Sequence, residues 1–331
     1  MTEIELIALL TSELPKKGND LACGVGDDCA IVAGPEGRDW LVTSDLLCEG
    51  AHFDLRFTDL VTLGRKALSV NLSDIAAMGG APRFWLCSIA LPGGVGAGGA
   101  AALYRGMNAV ASEHGAILIG GDTSSSDRGL FLSITAIGEC PSGRAVMRSG
   151  ARPGDAIYAT GELGGSALGL ALMMRGIADK GAGRFANRHN DPRPRVEAGR
   201  LLAESGLLTS MIDISDGLMA DLGHIAASSG AGFEVGAEAL PTDATLAGLA
   251  AEAGADPLEL ALSGGEDYEL AFTVASAEAG RFEREIAPRA GVRVTRIGAM
   301  VSDPAAHRAL RADGVEINLS SAGFDHFGVR A

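Results

Sequence analysis

The sequence predicts an α/β protein of two domains, and three observations carry that expectation. Short apolar runs rich in Val, Ile and Leu alternate with longer segments of helical spacing. At 331 residues the chain is long for a single core. Near residue 150 the texture changes at "RSGARPGD" (148–155), a Pro/Gly-containing connector. Domains are therefore expected at 1–148 and 149–331.

The elements follow in order. "MTEIELIALL" reads as an amphipathic helix, since Glu3 and Glu5 stand where a secretion signal would be basic. "CAIVAG" (29–34) and "WLVTSD" (40–45) are strands joined by a "GPEGRD" turn. Residues 60–78 have helical spacing that stops at Gly79-Gly80 and Pro82. "RFWLCSIAL" (83–91) is a strand, a helix follows at 99–114, and "AILIGGD" (116–122) is another strand. "LFLSITAIGE" (130–139) alternates as a half-exposed strand does; a sheet face needing cover predicts a homodimer through the N-terminal half. Beyond the connector, "AIYAT" (156–160) is a strand and "GELGGSALGLALMM" (161–174) a Gly-rich turn entering a helix. "RFANRHNDPRPR" (184–195), polar and broken by proline, reads as a loop. "MIDIS" (211–215) is a strand, "DGLMADLGHIAASS" (216–229) a helix, and "LALSGGEDYELAFTV" (260–274) a helix end, a Gly turn and a strand.

Composition excludes several classes of function. A formal charge of −15 argues against nucleic acid and anionic membranes as partners, and means that a phosphate ligand would need metal ions to mediate it. No apolar run reaches membrane-spanning length. Five cysteines without a CxxC pair read as reduced thiols of a cytoplasmic protein.

Aspartates recur at strand ends and turns: Asp27 and Asp28 in "GVGDDCA", Asp45 in "TSD", Asp122 in "GGDT", Asp213 and Asp216 in "DISDG". Each alone is ordinary turn or cap chemistry. Asp74, inside the helical "VNLSDIAAMGG", resists that explanation, because a mid-helix carboxylate among apolar neighbours needs a partner. Carboxylates and hydroxyls without His/Cys pairing fit Mg²⁺ rather than zinc. A divalent ion would remove the repulsion among clustered acids.

No GxxxxGK[ST] occurs, so a P-loop is excluded. "GELGGS" is either a phosphate cradle at a helix start or a site of tight packing. "GGDT" and "SGGED" (263–267) are stronger signals, each joining Gly-Gly to an acid at an element boundary. Arg148 is either a phosphate clamp or a surface arginine. His52 and Phe324 are candidates for holding an aromatic or cationic ligand, against the ordinary reading of packing.

Together, "GVGDDCA", "TSD…EGAHF", "KALSVNLSDIAAMGGAP", "IGGDT", "RSGARPGD", "MIDISDGLMADLGH", "LSGGEDYEL" and the closing "GFDHF" resemble, in order and over nearly the whole chain, the thiamine-monophosphate kinases. That family sits in a superfamily with aminoimidazole ribonucleotide synthetase and selenophosphate synthetase. The resemblance implies two α/β domains of that superfamily's fold, with mixed sheets covered by helices and dimerisation through the N-terminal one. It implies transfer of the γ-phosphate of ATP to thiamine monophosphate with several Mg²⁺ ions. It assigns magnesium ligation to Asp28, Thr43, Ser44, Asp45, Asp74, Asp122, Asp213 and Asp216. Nucleotide contacts fall on Tyr104, Gly121, Asp122, Arg148 and Ser215, and substrate contacts on His52, Glu266 and Phe324. Thr43-Ser44 inverts the family's usual serine-threonine order, leaving open which hydroxyl meets the metal. The acceptor is a phosphate monoester, largely dianionic at neutral pH, so neither a general base nor a covalent nucleophile is expected. The alternatives are another ATP-dependent member of the superfamily or a non-catalytic nucleotide- or thiamine-binding regulator. Selenophosphate synthesis would want a reactive cysteine near the N-terminus, and Cys23 lacks the Gly-rich loop for that.

Overall fold

The structure is a computed structural model and describes residues 3–14, 18–178 and 181–324. The first half runs α1 (Glu3–Thr11), β1 (Leu21–Cys23), β2 (Ala30–Ala33), β3 (Arg38–Cys48), α2 (Leu60–Ala77), β4 (Ala81–Pro92), α3 (Gly96–His114), β5 (Ile117–Ser126) and β6 (Phe131–Pro141). Its strands form one six-stranded sheet in the order β1-β2-β3-β6-β4-β5, antiparallel except for β4 against β5.

The second half runs β7 (Ala156–Thr160), α4 (Gly165–Met174), α5 (Ala182–Asn190), α6 (Val196–Glu204), β8 (Leu208–Asp213), α7 (Leu218–Ser229), β9 (Gly232–Gly236), α8 (Leu246–Ala253), α9 (Pro257–Ser263), β10 (Leu270–Val274), α10 (Ser276–Glu285), β11 (Val294–Val301) and β12 (His307–Leu310). These strands form a second six-stranded sheet, β12-β9-β11-β7-β10-β8, with only β12 and β9 parallel. An irregular stretch, 142–155, joins β6 to β7.

Helix α2 is the element that positions everything else. Asp59 caps its start, its side chain accepting from the backbone N–H groups of Val61 and Thr62. The helix is then buried on most sides, apolar residues and Lys66, Ser69, Asn71 and Ser73 alike. Buried polar side chains need partners, and those partners build the site described below. Against α2 packs α6, where Gly199 permits contact no larger residue would: a Cβ there would lie 2.1 Å from the Ala76 carbonyl oxygen. The main core accordingly runs from Leu68, Leu72 and Ile75 of α2 into Met211, Leu270 and Phe272 of the second sheet.

Two expectations need correction. The polar stretch 184–195 is a loop only at its end; α5 covers Ala182–Asn190. A stripe of Ala182, Phe185 and His189 is buried, while Arg184 and Arg188 lie over the Phe185 ring and pair with Asp243 and Glu162. The polar majority masks a short apolar face, and Pro192 and Pro194 fall after the helix has ended. The N-terminal helix forms, but Ile7, Leu9 and Leu10 are exposed rather than laid on a core; Met1 and Thr2 lie outside the described residues. Among the described residues, no helix is long and apolar enough to cross a membrane.

Candidate functional site

The site grows from α2, β3, β8 and the turns after β1 and β8. Strand alternation separates the neighbours on β3. Thr43 points toward α2 and donates its hydroxyl to Asp74 Oδ2 at 2.5 Å. Ser44 points to the opposite face, where its Oγ lies 3.1 Å from Thr135 Oγ1. Asp45 returns to the side of Thr43, its backbone N–H donating to Asn71 Oδ1 of α2. Two residues on, Ser73 donates to Asp213 Oδ2 at 2.6 Å, which ties α2 to the end of β8.

Asp28, Asp74 and Asp213 thereby converge, each with a carboxylate oxygen within 4.8 Å of the others. Burial pushes all three up: Asp28 to about 7, Asp213 to about 6, and Asp74 well above the usual carboxylate range. For Asp74, the charges of Asp45, Asp213 and Asp28 add to the burial. Asp45 is pushed up to about 6, by burial first and by Asp216 second. Arg148 offsets part of this cost, with Nη2 2.6 Å from Asp28 Oδ1 and its backbone N–H on Asp27. The other oxygen, Asp28 Oδ2, is buried with no partner. An all-oxygen set of mutually repelling carboxylates with one orphaned acceptor is what a hard divalent cation satisfies.

The turn after β8 forms the next wall. Asp221 Oδ2 accepts the backbone N–H groups of Ser215, Asp216 and Gly217, holding "DISDG" in place. Gly217 at φ 120 sits where a Cβ would meet the Ser263 backbone at 2.7 Å. Asp216, Asp221 and His224 form a second group with ligand atoms within 4.8 Å. Glu266 N–H donates to the Ser215 carbonyl at 2.7 Å, and Phe324 N–H to the Asp216 carbonyl at 3.0 Å. Glu266 and Phe324 are thus fastened to the turn beside the acidic cluster; the last three residues of "GFDHF" lie outside the described residues. Glu266 is held below its ordinary range although burial alone would raise it, because Lys66 and then His189 attract its charge.

The expected residues do not all come together. Gly121 and Asp122 are exposed on β5, the terminal strand of its sheet. The register aligns Asp45, Ile134, Cys87 and Gly121 in one row, three strand spacings or about 14 Å from end to end. Tyr104 on α3 stays with β4, its ring 6.4 Å from Trp85, and burial pushes its hydroxyl up to about 12. "GELGGS" is no open cradle: Asp267 accepts the N–H groups of Gly164 and Ser166 at 2.6 and 3.1 Å, so packing is the better reading.

Lys66, Asn71, Ser73, His189 and Asp221 were not marked by sequence reasoning. The signal for Asp221 was present, since an acid in the first turn of α7 can reach back to the amides before it.

Comparison with known proteins agrees with this architecture. Residues 26–140 match the AIR synthase related protein N-terminal domain, and residues 152–309 match its C-terminal domain. The thiamine-monophosphate kinase of Bacillus subtilis is 36% identical over 99% of this chain and 100% of its own length. That of Escherichia coli K12 is 39% identical over 98% of each. The solved structure of AaThiL complexed with AMPPCP and TMP superposes with a TM-score of 0.84 at 32% identity, covering 98% of this chain and 97% of that one. The chain belongs to the AIR synthase related proteins and, within them, to the thiamine-monophosphate kinase family.

Proposed function

We propose that this protein transfers the γ-phosphate of ATP to thiamine monophosphate, giving thiamine diphosphate and ADP, the last step in making that cofactor. The cluster of Asp28, Asp74 and Asp213 carries the reading, because two polyanions can be brought together on an acidic surface only if cations intervene. The identity of the acceptor rests on relatives named as thiamine-monophosphate kinases over their full length, and on the AMPPCP and TMP in the solved neighbour.

The cation is proposed to be Mg²⁺, with Asp28, Thr43, Asp45, Asp74, Asp213 and Asp216 as its ligands on this chain. When bound it would neutralise charge on the transferring phosphoryl group and align the two phosphates. Arg148 and the Ser215 turn orient the nucleotide. His52, Glu266 and Phe324 hold the thiamine end. The acceptor phosphate is already largely dianionic at neutral pH, so no side chain needs to remove a proton.

We further propose that the working form is a homodimer in which a second copy supplies Tyr104, Gly121 and Asp122. Ser44 and Asp122 project from the same outer face of the first sheet, as strand alternation along the paired rows requires. That face also carries Val32, Trp40, Val42, Phe84 and Ile137, and β5 exposes Ile117, Leu118 and Ile119. Pairing such faces about a two-fold axis covers apolar surface and brings one copy's Asp122 toward the other's Ser44, next to Asp45 on the same strand. The halves 1–148 and 149–331 are proposed as the two domains. Five free cysteines suit a reducing cytoplasm.

The test is turnover with ATP and Mg²⁺ in the presence of thiamine monophosphate or thiamine, with products separated by chromatography. Equal amounts of ADP and thiamine diphosphate are expected, with free thiamine a poor acceptor. Comparable turnover of free thiamine, or ligand-induced thermal stabilisation without ADP, would count against the proposal.

A further inference from the structure

Lys66 is the most deeply buried charge on α2, 2% exposed. A lysine there carries a large desolvation cost, and a buried ion pair is weak evidence for stability on its own. Its contacts point to a different reason for its presence. Nζ donates to the backbone carbonyl of His52 at 3.0 Å and to Glu266 Oε2 at 2.9 Å. One ammonium group therefore ties together the two residues proposed to hold the acceptor. They come from opposite halves of the chain, His52 after β3 and Glu266 before β10.

A second buried group completes the arrangement. His189, at the end of α5 and 7% exposed, brings Nδ1 to 3.0 Å from the same Glu266 Oε2 and 3.1 Å from Ser166 Oγ. Burial, and next the Lys66 charge, push His189 down to about 4, so the ring is neutral. We assign the neutral tautomer protonated at Nδ1, which presents its N–H to Glu266 Oε2 and Ser166 Oγ, the two oxygens that flank it. Glu266 meanwhile has φ 65, a left-handed conformation that costs free energy for a residue with a Cβ, and Tyr268 two positions later has φ 50. The backbone holds this conformation while Glu266 N–H donates to Ser215 O and Tyr268 N–H to Ile214 O. Side-chain ties from α2 and α5 and backbone ties from the turn after β8 thus constrain the Glu266 segment from three directions.

We infer that Lys66 and His189 are positioning residues for the acceptor: they fix the Glu266 carboxylate and the His52 segment relative to each other, and so set affinity for thiamine monophosphate without touching ATP. This gives α5 its role, as the element that delivers His189. The inference rests on the proposed function, since it takes His52 and Glu266 as acceptor contacts.

The test compares Lys66→Met, His189→Leu and His189→Asn with the wild type. The readouts are KM for each substrate, kcat, melting temperature, and calorimetric affinity for thiamine monophosphate without ATP. Loss of a hydrogen bond to a charged group is expected to raise KM and Kd for thiamine monophosphate by about 10- to 100-fold in Lys66→Met and about tenfold in His189→Leu. KM for ATP should stay within about twofold, since that end of the site is not touched by either residue. His189→Asn keeps a donor near the Nδ1 position and should recover most of the affinity that His189→Leu loses. In a Glu266→Gln background, Lys66→Met should add little to the loss, because the two share one interaction. If Lys66→Met does not fold, the two His189 variants decide by the same criterion. Equal rises in both KM values, or a lowered melting temperature with unchanged acceptor affinity, would overturn the inference and leave the proposed function standing. A wild-type protein that does not phosphorylate thiamine monophosphate would overturn both.

Discussion

Arg148 Nη2 lies 2.6 Å from Asp28 Oδ1, while the other oxygen of the same carboxylate is buried without a partner. One guanidinium is thus the main counter-charge for an acidic pocket that also holds Asp74 and Asp213. The same arginine is proposed to orient the nucleotide, which couples the state of the acidic pocket to nucleotide binding.

Removing that counter-charge should be costly in the absence of metal. Arg148→Met leaves Asp28 buried without a cation, a loss of about 3–5 kcal/mol when one partner of a buried pair is deleted. The expected outcome is a clearly lower melting temperature without Mg²⁺, with much of the loss recovered when Mg²⁺ is added. A thermal scan with chelator and with Mg²⁺ checks this, and equal losses under both conditions would contradict it.

The raised carboxyls predict a pH dependence. Asp28 titrates near 7 and Asp45 and Asp213 near 6, and burial raises Asp74 well above the 3.8 of an ordinary aspartate. The folded chain therefore binds extra protons, and their stabilising contribution is whole below the unfolded value and is lost as pH rises through the folded values. His114, His189 and His224 titrate below the ordinary 6.5 and work in the opposite sense, but only below that value. Between 6.5 and about pH 8 the carboxyls prevail, and the metal-free melting temperature should fall as pH rises. Added Mg²⁺ should flatten or reverse that slope.

Asp45→Asn and Asp74→Asn separate chemistry from folding. Each removes a charge from the pocket while keeping its shape. Activity should fall on the order of a thousandfold, corresponding to several kcal/mol of lost transition-state stabilisation. The metal-free melting temperature should hold or rise, because repulsion is relieved. Near-normal kcat in both variants would remove the cluster from the mechanism.

The shared-site proposal predicts complementation between copies. Asp45→Asn and Asp122→Asn homodimers should each be nearly inactive. Unfolded together and refolded as mixed dimers, they should recover roughly a quarter of wild-type activity, since half the dimers are mixed and each carries one intact site. No recovery, or a monomer mass by light scattering at micromolar concentration, would mean that Asp122 does not act across an interface.

Much of this arrangement was legible in the sequence, and the exceptions have physical causes. Asp28, Asp45, Asp74, Asp213 and Asp216 stood out because acids at strand ends or inside an apolar helix are hard to explain otherwise. Lys66 did not, because a lysine on an amphipathic helix is ordinarily solvated, whereas here it is buried between the His52 carbonyl of the first half and Glu266 of the second. His189 was hidden in a stretch whose arginines and prolines read as loop; its helix exists because Phe185 and Ala182 bury a face that composition does not display. Strands such as β3 and β5 run past their apolar cores into polar residues, since pairing with a neighbour extends a strand that side-chain preference alone would end. The separation of Asp122 from Asp45 depends on strand order, which local pattern does not encode.

The most direct test of direct transfer follows the phosphate itself. Enzyme is given γ-labelled ATP and Mg²⁺, first alone and then with thiamine monophosphate, and label is traced in protein, inorganic phosphate and product. Ser166 Oγ does lie 3.1 Å from His189 Nδ1, but Ser166 is fully buried and the histidine also faces Glu266, so the pair is not presented to a phosphate and the protein should stay unlabelled throughout. With acceptor, all transferred label should appear in the terminal phosphate of thiamine diphosphate, one per ADP formed. Label held covalently by the protein, or released as inorganic phosphate in place of product, would contradict direct transfer at the aspartate cluster.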